Sequence, residues 1–261
     1  MASDGFRINN ALDRVTPRLD EGRVAGSARL VDGYVDVLPD EPQRESKSLA
    51  QHTMEFPLLA TIYERIWRPA GVIAFMGFDV AHFRAERDKT VDALRLHGEC
   101  AVLDVACGPG NFTAAFADAL EPGGLAIGLD ISRPMLRKAA QTNNRPNAVY
   151  LRGDAANLPF PDGSLDAVTC YAALYLIPEP FRVVDEMIRV LKPGGRISVM
   201  ATRASEHRPV RRAQRRVLAL TGLRMFDVSA FTEYFRSAGL VEVDQDLRGV
   251  VQYVHATKPG E

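Results

Sequence analysis

The chain has 261 residues, of which 46% are hydrophobic and 25% charged, and its formal net charge is −1. This balance excludes a global basic field that would hold a nucleic acid or an anionic membrane surface, and no apolar run approaches the length of a membrane span. The cysteines Cys100, Cys107 and Cys170 form neither a disulfide framework nor a zinc-binding spacing, so we expect free thiols in a reducing cytoplasm and no bound metal.

The chain begins with two segments that differ from the rest. Residues 1–45 are predicted to be irregular, with one short strand or hairpin where apolar and polar residues alternate from Arg29 to Val37. Pro39 and Pro42 end that pattern. Apolar residues at helical spacing then predict a helical lid over residues 46–98.

Residues 99–261 form the third segment, in which short apolar runs alternate with amphipathic stretches. This alternation predicts an α/β domain with a doubly wound parallel sheet, covered by helices on both faces. The last two runs are separated by only a residue or two around Gly249, which is too short for a crossover, so they should pair antiparallel. The predicted strands are CAVLDVA, GLAIGLD, NAVYLRGD, SLDAVTCYAAL, GRISVMA, VEVDQDL and VVQYVHA.

The stretch VLDVACGPGNFT, residues 102–113, joins the first of these strands to its helix. Gly108 and Gly110 can adopt backbone angles that are closed to other residues. The helix that begins near Asn111 directs its free amide groups into the same space. In a doubly wound sheet this turn lies at the carboxyl edge of the strands, where ligands bind.

Acidic residues end the next two strands. Asp130 follows Gly110 by 20 positions, which suits an acceptor for the hydroxyls of a ribose, and Asp154 can accept from an exocyclic amine such as that of adenine. Asp104, just before the turn, suits a positively charged ligand, and Thr113 occupies the third glycine position of a dinucleotide-binding turn. Together these features favour S-adenosylmethionine, whose ammonium and sulfonium groups are cationic.

Four stretches in order, VLDVACGPGNFT, GLDISRPML, GDAANLPFPDGSLDAV and RVLKPGG, resemble the successive motifs of class I S-adenosylmethionine-dependent methyltransferases, in their broad small-molecule branch. The resemblance spans residues 101–199. It implies a Rossmann-like sheet of seven strands with the last strand antiparallel.

The resemblance also implies roles for individual residues. Those around the methionine part of the cofactor are Asp104, Cys107, Gly108 and Gly110. Asp130 holds the ribose, with Ile131 and Met135 beside the adenine, and Asp154 and Ala155 meet the adenine edge. Ala106 and Tyr63 complete the predicted cofactor-binding set.

The segment SARLVDGYVDVLP is similar to one that follows a small zinc-binding unit in some bacterial methyltransferases, including ones that act on ribosomal RNA. Those relatives carry cysteine pairs just upstream. Here no cysteine precedes Cys100, so a zinc site at that position lacks its ligands. The segment is therefore interpreted as a metal-free remnant, which weakens the case for an RNA substrate.

Two residues are predicted to be catalytic. Tyr175 lies in the segment that lines the transferred methyl group in this fold; it can position a hydroxyl, or alternatively pack as an aromatic under the lid. His207 follows the fifth strand, where substrate-binding insertions occur, but it also reads as an exposed loop residue. His255 has no supporting context and is expected at the surface.

The leading hypothesis is methyl transfer to an oxygen, nitrogen or carbon atom of a small molecule, in specialised metabolite biosynthesis. We expect no nucleic-acid or membrane partner, and either a monomer or a homodimer. One alternative is an RNA methyltransferase, for which the arginine-rich stretch RPVRRAQRR is a motivation. The other is a protein of the same fold that catalyses a non-methylating reaction such as a cyclisation.

Overall fold

The structure is a computed structural model that describes residues 13–24, 28–39, 89–96, 98–204 and 224–260. The predicted catalytic residue His207 and the predicted cofactor-binding residue Tyr63 lie outside these ranges. So does most of the predicted helical lid; its residues 89–96 and 98 are described, and residues 89–94 are helical. The described residues contain no helix with the length and apolar character that crossing a membrane requires.

Helices and strands follow each other in the predicted order. The strands are β1 (Arg29–Val31), β2 (Tyr34–Asp36), β3 (Ala101–Val105), β4 (Leu125–Asp130), β5 (Ala148–Arg152), β6 (Leu165–Tyr171), β7 (Leu191–Thr202), β8 (Val241–Arg248) and β9 (Val251–Thr257). The α-helices bounded in the described ranges are α1 (Asn111–Ala119), α2 (Arg133–Thr142), α3 (Pro180–Val190) and α4 (Ala230–Ser237).

The strands form one sheet in the order β1-β2-β5-β4-β3-β6-β7-β9-β8. β3 lies at its centre, with β4 and then β5 on one side and β6 and then β7 on the other, all parallel. Every residue of β3 is buried, because helices cover both faces of a parallel sheet. The strand order reverses beside β3, which opens a crevice at the carboxyl ends of β3 and β6.

The far end of the sheet confirms the predicted hairpin. β8 and β9 pair antiparallel on either side of Gly249, which has a φ of +54°. β9 also runs antiparallel to β7, so the last strand is the antiparallel one, as predicted.

All seven predicted strands are present, and the described residues add two more, so that the sheet has nine strands. The two additional strands are the hairpin β1–β2, in which β2 pairs parallel with β5. The alternation from Arg29 to Val37 predicted the hairpin itself. It could not predict the partner strand, because a local alternating pattern carries no information about distant pairing.

Residues 13–24 cover part of one face of the sheet. Val15 is fully buried within the main core, Asp20 N–H donates to the Pro159 carbonyl at 3.0 Å, and Arg23 pairs with Glu186 of α3 at 3.1 Å. The connection from β5 to β6 contains no helix. The N-terminal segment therefore supplies apolar cover that a crossover helix would otherwise provide.

Candidate cofactor-binding site

The turn between β3 and α1 has a strongly bent backbone. Ala106, Gly108 and Gly110 have φ values of +55°, +54° and +77°, which for the alanine costs about 1 kcal/mol or more. A Cβ at Gly110 would lie 2.6 Å from the Tyr150 ring, so only glycine fits there. A Cβ at Gly108 would meet nothing among the described atoms within 4 Å. The turn is therefore packed from below at Gly110 and open at Gly108.

Asp130, the last residue of β4, holds this turn in place. Its Oδ2 accepts the Gly108 N–H at 2.8 Å and its Oδ1 accepts the Ser132 N–H at 2.8 Å. A carboxylate has about four acceptor positions, so both oxygens retain capacity for a further donor. Burial raises the pKa of Asp130, against the lowering effect of the backbone donors, which means that these donors only partly replace water.

Asp104 lies beneath the turn and is 2% exposed. Its Oδ2 accepts the Thr113 hydroxyl of α1 at 2.6 Å, and its Oδ1 accepts the Thr169 hydroxyl of β6 at 3.2 Å. Thr113, noted in the sequence as a departure from the dinucleotide-binding pattern, is thus a partner of the buried acid. Asp104 ties β3 to α1 and β6, and any effect on a cationic ligand would act through its charge.

The buried position of Asp104 predicts a pH-dependent stability. Burial raises the pKa of Asp104 from its ordinary value near 4 to about 7, and its hydroxyl donors offset this only in part. Because the folded-state pKa is the higher one, the stabilisation is complete below about pH 4 and is lost as the pH rises through about 7. The expected loss relative to Asp104→Asn is at most about 4 kcal/mol.

Urea unfolding of both proteins at pH 4.5 and pH 7.5 would measure this difference. The Asn variant keeps the shape of the side chain, and threonine hydroxyls can act as donor or acceptor towards an amide. If the free energy of unfolding changed by the same amount between the two pH values in both proteins, the raised pKa of Asp104 would be contradicted.

The predicted adenosine end lies where β4 and β5 finish side by side. Ile131, directly after β4, is 57% exposed although apolar, whereas Met135 on α2 is buried. Asp154 is half-buried and accepts the Ala156 N–H at 2.8 Å through Oδ1. Ala155 packs half-buried against the main core. An apolar surface at Ile131 and a carboxylate at Asp154 are thus brought to one edge of the sheet.

The other candidate residues differ in their surroundings. Burial raises the pKa of the Cys107 thiol well above its usual value, with a further contribution from Asp130, so this side chain stays protonated and uncharged. Tyr175 is half-buried in a short 3-10 turn after β6, at the same sheet edge as the glycine turn. His255, expected at the surface, is half-buried, because β9 lies between β7 and β8.

Sequence reasoning missed the residues that support the turn from β4 and β5. A Cβ at Gly128, in the middle of β4, would lie 2.8 Å from Thr113 Oγ1 and 2.9 Å from Cys107 Sγ. Tyr150 on β5 donates its hydroxyl to the Asn143 carbonyl at 2.7 Å. A glycine inside a strand marks a close approach of other atoms, so Gly128 carried a signal that could have been used.

The charges around the site favour a cationic ligand. Asp104, Asp130 and Asp154 all lie at the carboxyl ends of the central strands or just beyond them. The nearby Arg152 and Arg133 are both paired with Asp36, at 3.2 Å and 3.4 Å. Among the described residues, the acidic groups therefore keep their effect on a ligand beside Gly108.

Residues 103–199, from β3 into β7, match the sequence model of a family described as "Methyltransferase domain". Residues 103–199 thus resemble a methyltransferase domain, in a match that covers less than half of the chain. A demethylmenaquinone methyltransferase of Bacillus licheniformis is 40% identical over 121 residues, which cover 46% of this chain and 52% of the relative. The chain spans about half the length of the curated relatives it matches.

Solved structures share the fold of this chain. Phosphoethanolamine N-methyltransferase 2 of Haemonchus contortus, in complex with S-adenosyl-L-methionine, superposes with a TM-score of 0.59 at 13% identity, covering 76% of this chain and 59% of that one. The [4+2]-cyclase SpnF superposes with a TM-score of 0.56 at 22% identity, covering 68% and 81%. Similarity at such identities shows a shared fold, and a shared fold does not define the reaction.

Proposed function

We propose that the methyltransferase domain binds S-adenosylmethionine and transfers its methyl group to a small-molecule acceptor. The observation that carries the proposal is the half-buried carboxylate of Asp130, which accepts the Gly108 N–H at 2.8 Å, beside a glycine whose missing Cβ would meet no described atom within 4 Å. Among the described residues, this arrangement offers a charged acceptor and leaves space at the point where a nucleoside would meet the turn.

The residues present fit this cofactor in three respects. The remaining acceptor positions of Asp130 suit the two ribose hydroxyls. The exposed Ile131 offers an apolar surface to the adenine ring, and Asp154 can accept from its exocyclic amine. Asp104 and Asp130 together favour the cationic ammonium and sulfonium groups.

When bound, S-adenosylmethionine supplies a methyl group on a sulfonium, which is electrophilic enough for an in-line displacement. The protein then has to orient the acceptor and exclude water. We assign Tyr175 the task of orienting the acceptor, since it follows β6 at the edge of the crevice and its hydroxyl can donate a hydrogen bond. Its phenol is a weak base at neutral pH, so the acceptor should need little deprotonation.

An activated ring carbon is the first acceptor to test. Relatives in Bacillus licheniformis and Geobacillus are named demethylmenaquinone methyltransferases, at 40% and 35% identity. A reduced quinone ring carries oxygen substituents that make its carbon atoms electron-rich, so it needs no strong protein base.

Two measurements test the proposal. Isothermal titration with S-adenosylmethionine and S-adenosylhomocysteine should show binding, and its absence with folded protein at millimolar ligand would overturn the proposal. Mass spectrometry after incubation with a reduced demethylated menaquinone should detect a methylated product together with S-adenosylhomocysteine. Cofactor binding without methylation of any small molecule would favour a cyclase-like reaction, and methylation of RNA alone would favour the RNA alternative.

A further inference from the structure

The N-terminal hairpin adds a further carboxylate to the cofactor edge of the sheet. Because β2 runs parallel to β5, with Asp36 opposite Arg152, the carboxyl end of β2 meets the same edge as the ends of β4 and β5. Asp36 is the last residue of β2 and is fully buried. A buried carboxylate in this position requires an explanation, since an unpaired one would be costly.

Asp36 is surrounded by donors from β5, from α2 and from the chain directly after β2. Arg152 Nη1 lies 3.2 Å from both carboxylate oxygens, Arg133 Nη2, at the start of α2, lies 3.4 Å from Oδ2, and the Leu38 N–H donates to Oδ1 at 3.1 Å. The Arg152 side chain is 14% exposed and the Arg133 side chain 35%. Asp36 therefore fixes two guanidinium groups that belong to β5 and α2.

Arg152 links Asp36 to the residues that are proposed to contact the nucleoside. Its Nε donates to the Ile131 carbonyl at 3.3 Å, and on β4 its register partner is Asp130. Arg133 begins the helix that follows Ile131. The guanidinium groups on both sides of the β4–α2 turn are thus held by one acid from the N-terminal hairpin.

We propose that Asp36 is a positioning residue for the adenosine end of the cofactor. It orients Arg152 and Arg133 so that the turn carrying Asp130 and Ile131 keeps the conformation that accepts the ribose and adenine. It also neutralises the two guanidinium groups, which would otherwise compete for the Asp130 carboxylate. This inference rests on the proposed function, because it assigns a role at the same site.

The test compares Asp36→Asn with Asp32→Asn in the full chain. Asp32 lies on the same hairpin and pairs with Arg137 at 2.7 Å, but both side chains are about half exposed, so its removal should have little effect. The probes are S-adenosylhomocysteine and 5′-methylthioadenosine, which lacks the amino-acid end. Asp36→Asn should weaken both by about tenfold, the loss expected for one hydrogen bond to a charged group, whereas Asp32→Asn should weaken neither.

A kinetic readout separates positioning from a general loss of structure. When the concentration of S-adenosylmethionine is varied, Asp36→Asn should raise the KM of this cofactor. When the cofactor is saturating, kcat and the KM of the acceptor should be unchanged. A fall in kcat at saturation, or a loss confined to S-adenosylhomocysteine, would overturn the assignment to the adenosine end.

A double variant keeps the inference testable if Asp36→Asn folds poorly. Asp36→Asn/Arg152→Gln removes both charges of the largely buried Asp36–Arg152 pair and should recover thermal stability, since replacing a whole pair is far less costly than breaking it. Cofactor affinity should stay low, because the arginine contact to Ile131 is gone. Recovery of affinity together with stability would show that Asp36 only balances charge. If the wild-type chain bound neither probe, the proposed function itself would fail.

Discussion

Replacing Asp130 by alanine is expected to weaken S-adenosylhomocysteine binding by about 100-fold, because two hydrogen bonds from the ribose to a charged acceptor are lost. The substitution also removes the acceptor of the Gly108 and Ser132 N–H groups, so the glycine turn loses its anchor to β4. Isothermal titration gives the affinity, and thermal unfolding reports how much of the loss reflects a less stable fold.

Asp166→Ala is the matched control for this prediction. Asp166 accepts the Ala101 N–H at 2.8 Å and pairs with Lys192 at 2.7 Å, but it lies at the amino end of β6, across the sheet from the glycine turn. This variant should lose stability and keep its affinity for S-adenosylhomocysteine. Similar losses of affinity in both variants would mean that the ribose assignment of Asp130 is wrong.

Replacing Gly110 by alanine is expected to cause the largest loss of stability. Its φ of +77° disfavours any side chain, by about 1–2 kcal/mol, and the new Cβ would lie 2.6 Å from the Tyr150 ring. Tyr150 is itself held by the bond from its hydroxyl to Asn143. Moving it should cost about another 1–3 kcal/mol, as overpacking of a filled core does.

Gly194→Ala separates these two contributions. Gly194 has the same φ of +77°, but a Cβ there would meet no described atom within 4 Å. Chemical unfolding should therefore show a small loss for Gly194→Ala and a clearly larger one for Gly110→Ala. Equal losses would mean that Tyr150 does not pack against the turn as described.

The central strands are where the sequence-based predictions and the structure agree most clearly. The run CAVLDVA predicted β3 because it is short and apolar, and Gly108 and Gly110 predicted the turn because few other residues tolerate its backbone angles. Asp130 and Asp154 could be placed at one edge because parallel strands all end on the same side. These inferences need only local patterns and the chirality of parallel connections.

The role of each acidic side chain could not be predicted in the same way. Asp104 was expected to act on a cationic ligand, and that stays a prediction; its burial and its hydrogen bond from the Thr169 hydroxyl, 65 residues further along the chain, were not predicted. Whether a carboxylate faces a ligand or a neighbouring strand depends on burial, which the residue type alone does not define.

The amino-acid sequence by itself determined the alternation of strands and helices, the glycine turn and the acids that surround it, because these follow from local periodicity and backbone sterics. Only the tertiary structure decided that β2 pairs with β5, which brings Asp36 to Arg152 from 116 residues away. Only the tertiary structure also placed residues 13–24 over the sheet. Such contacts depend on which distant apolar surfaces bury each other, and many pairings satisfy the same local pattern.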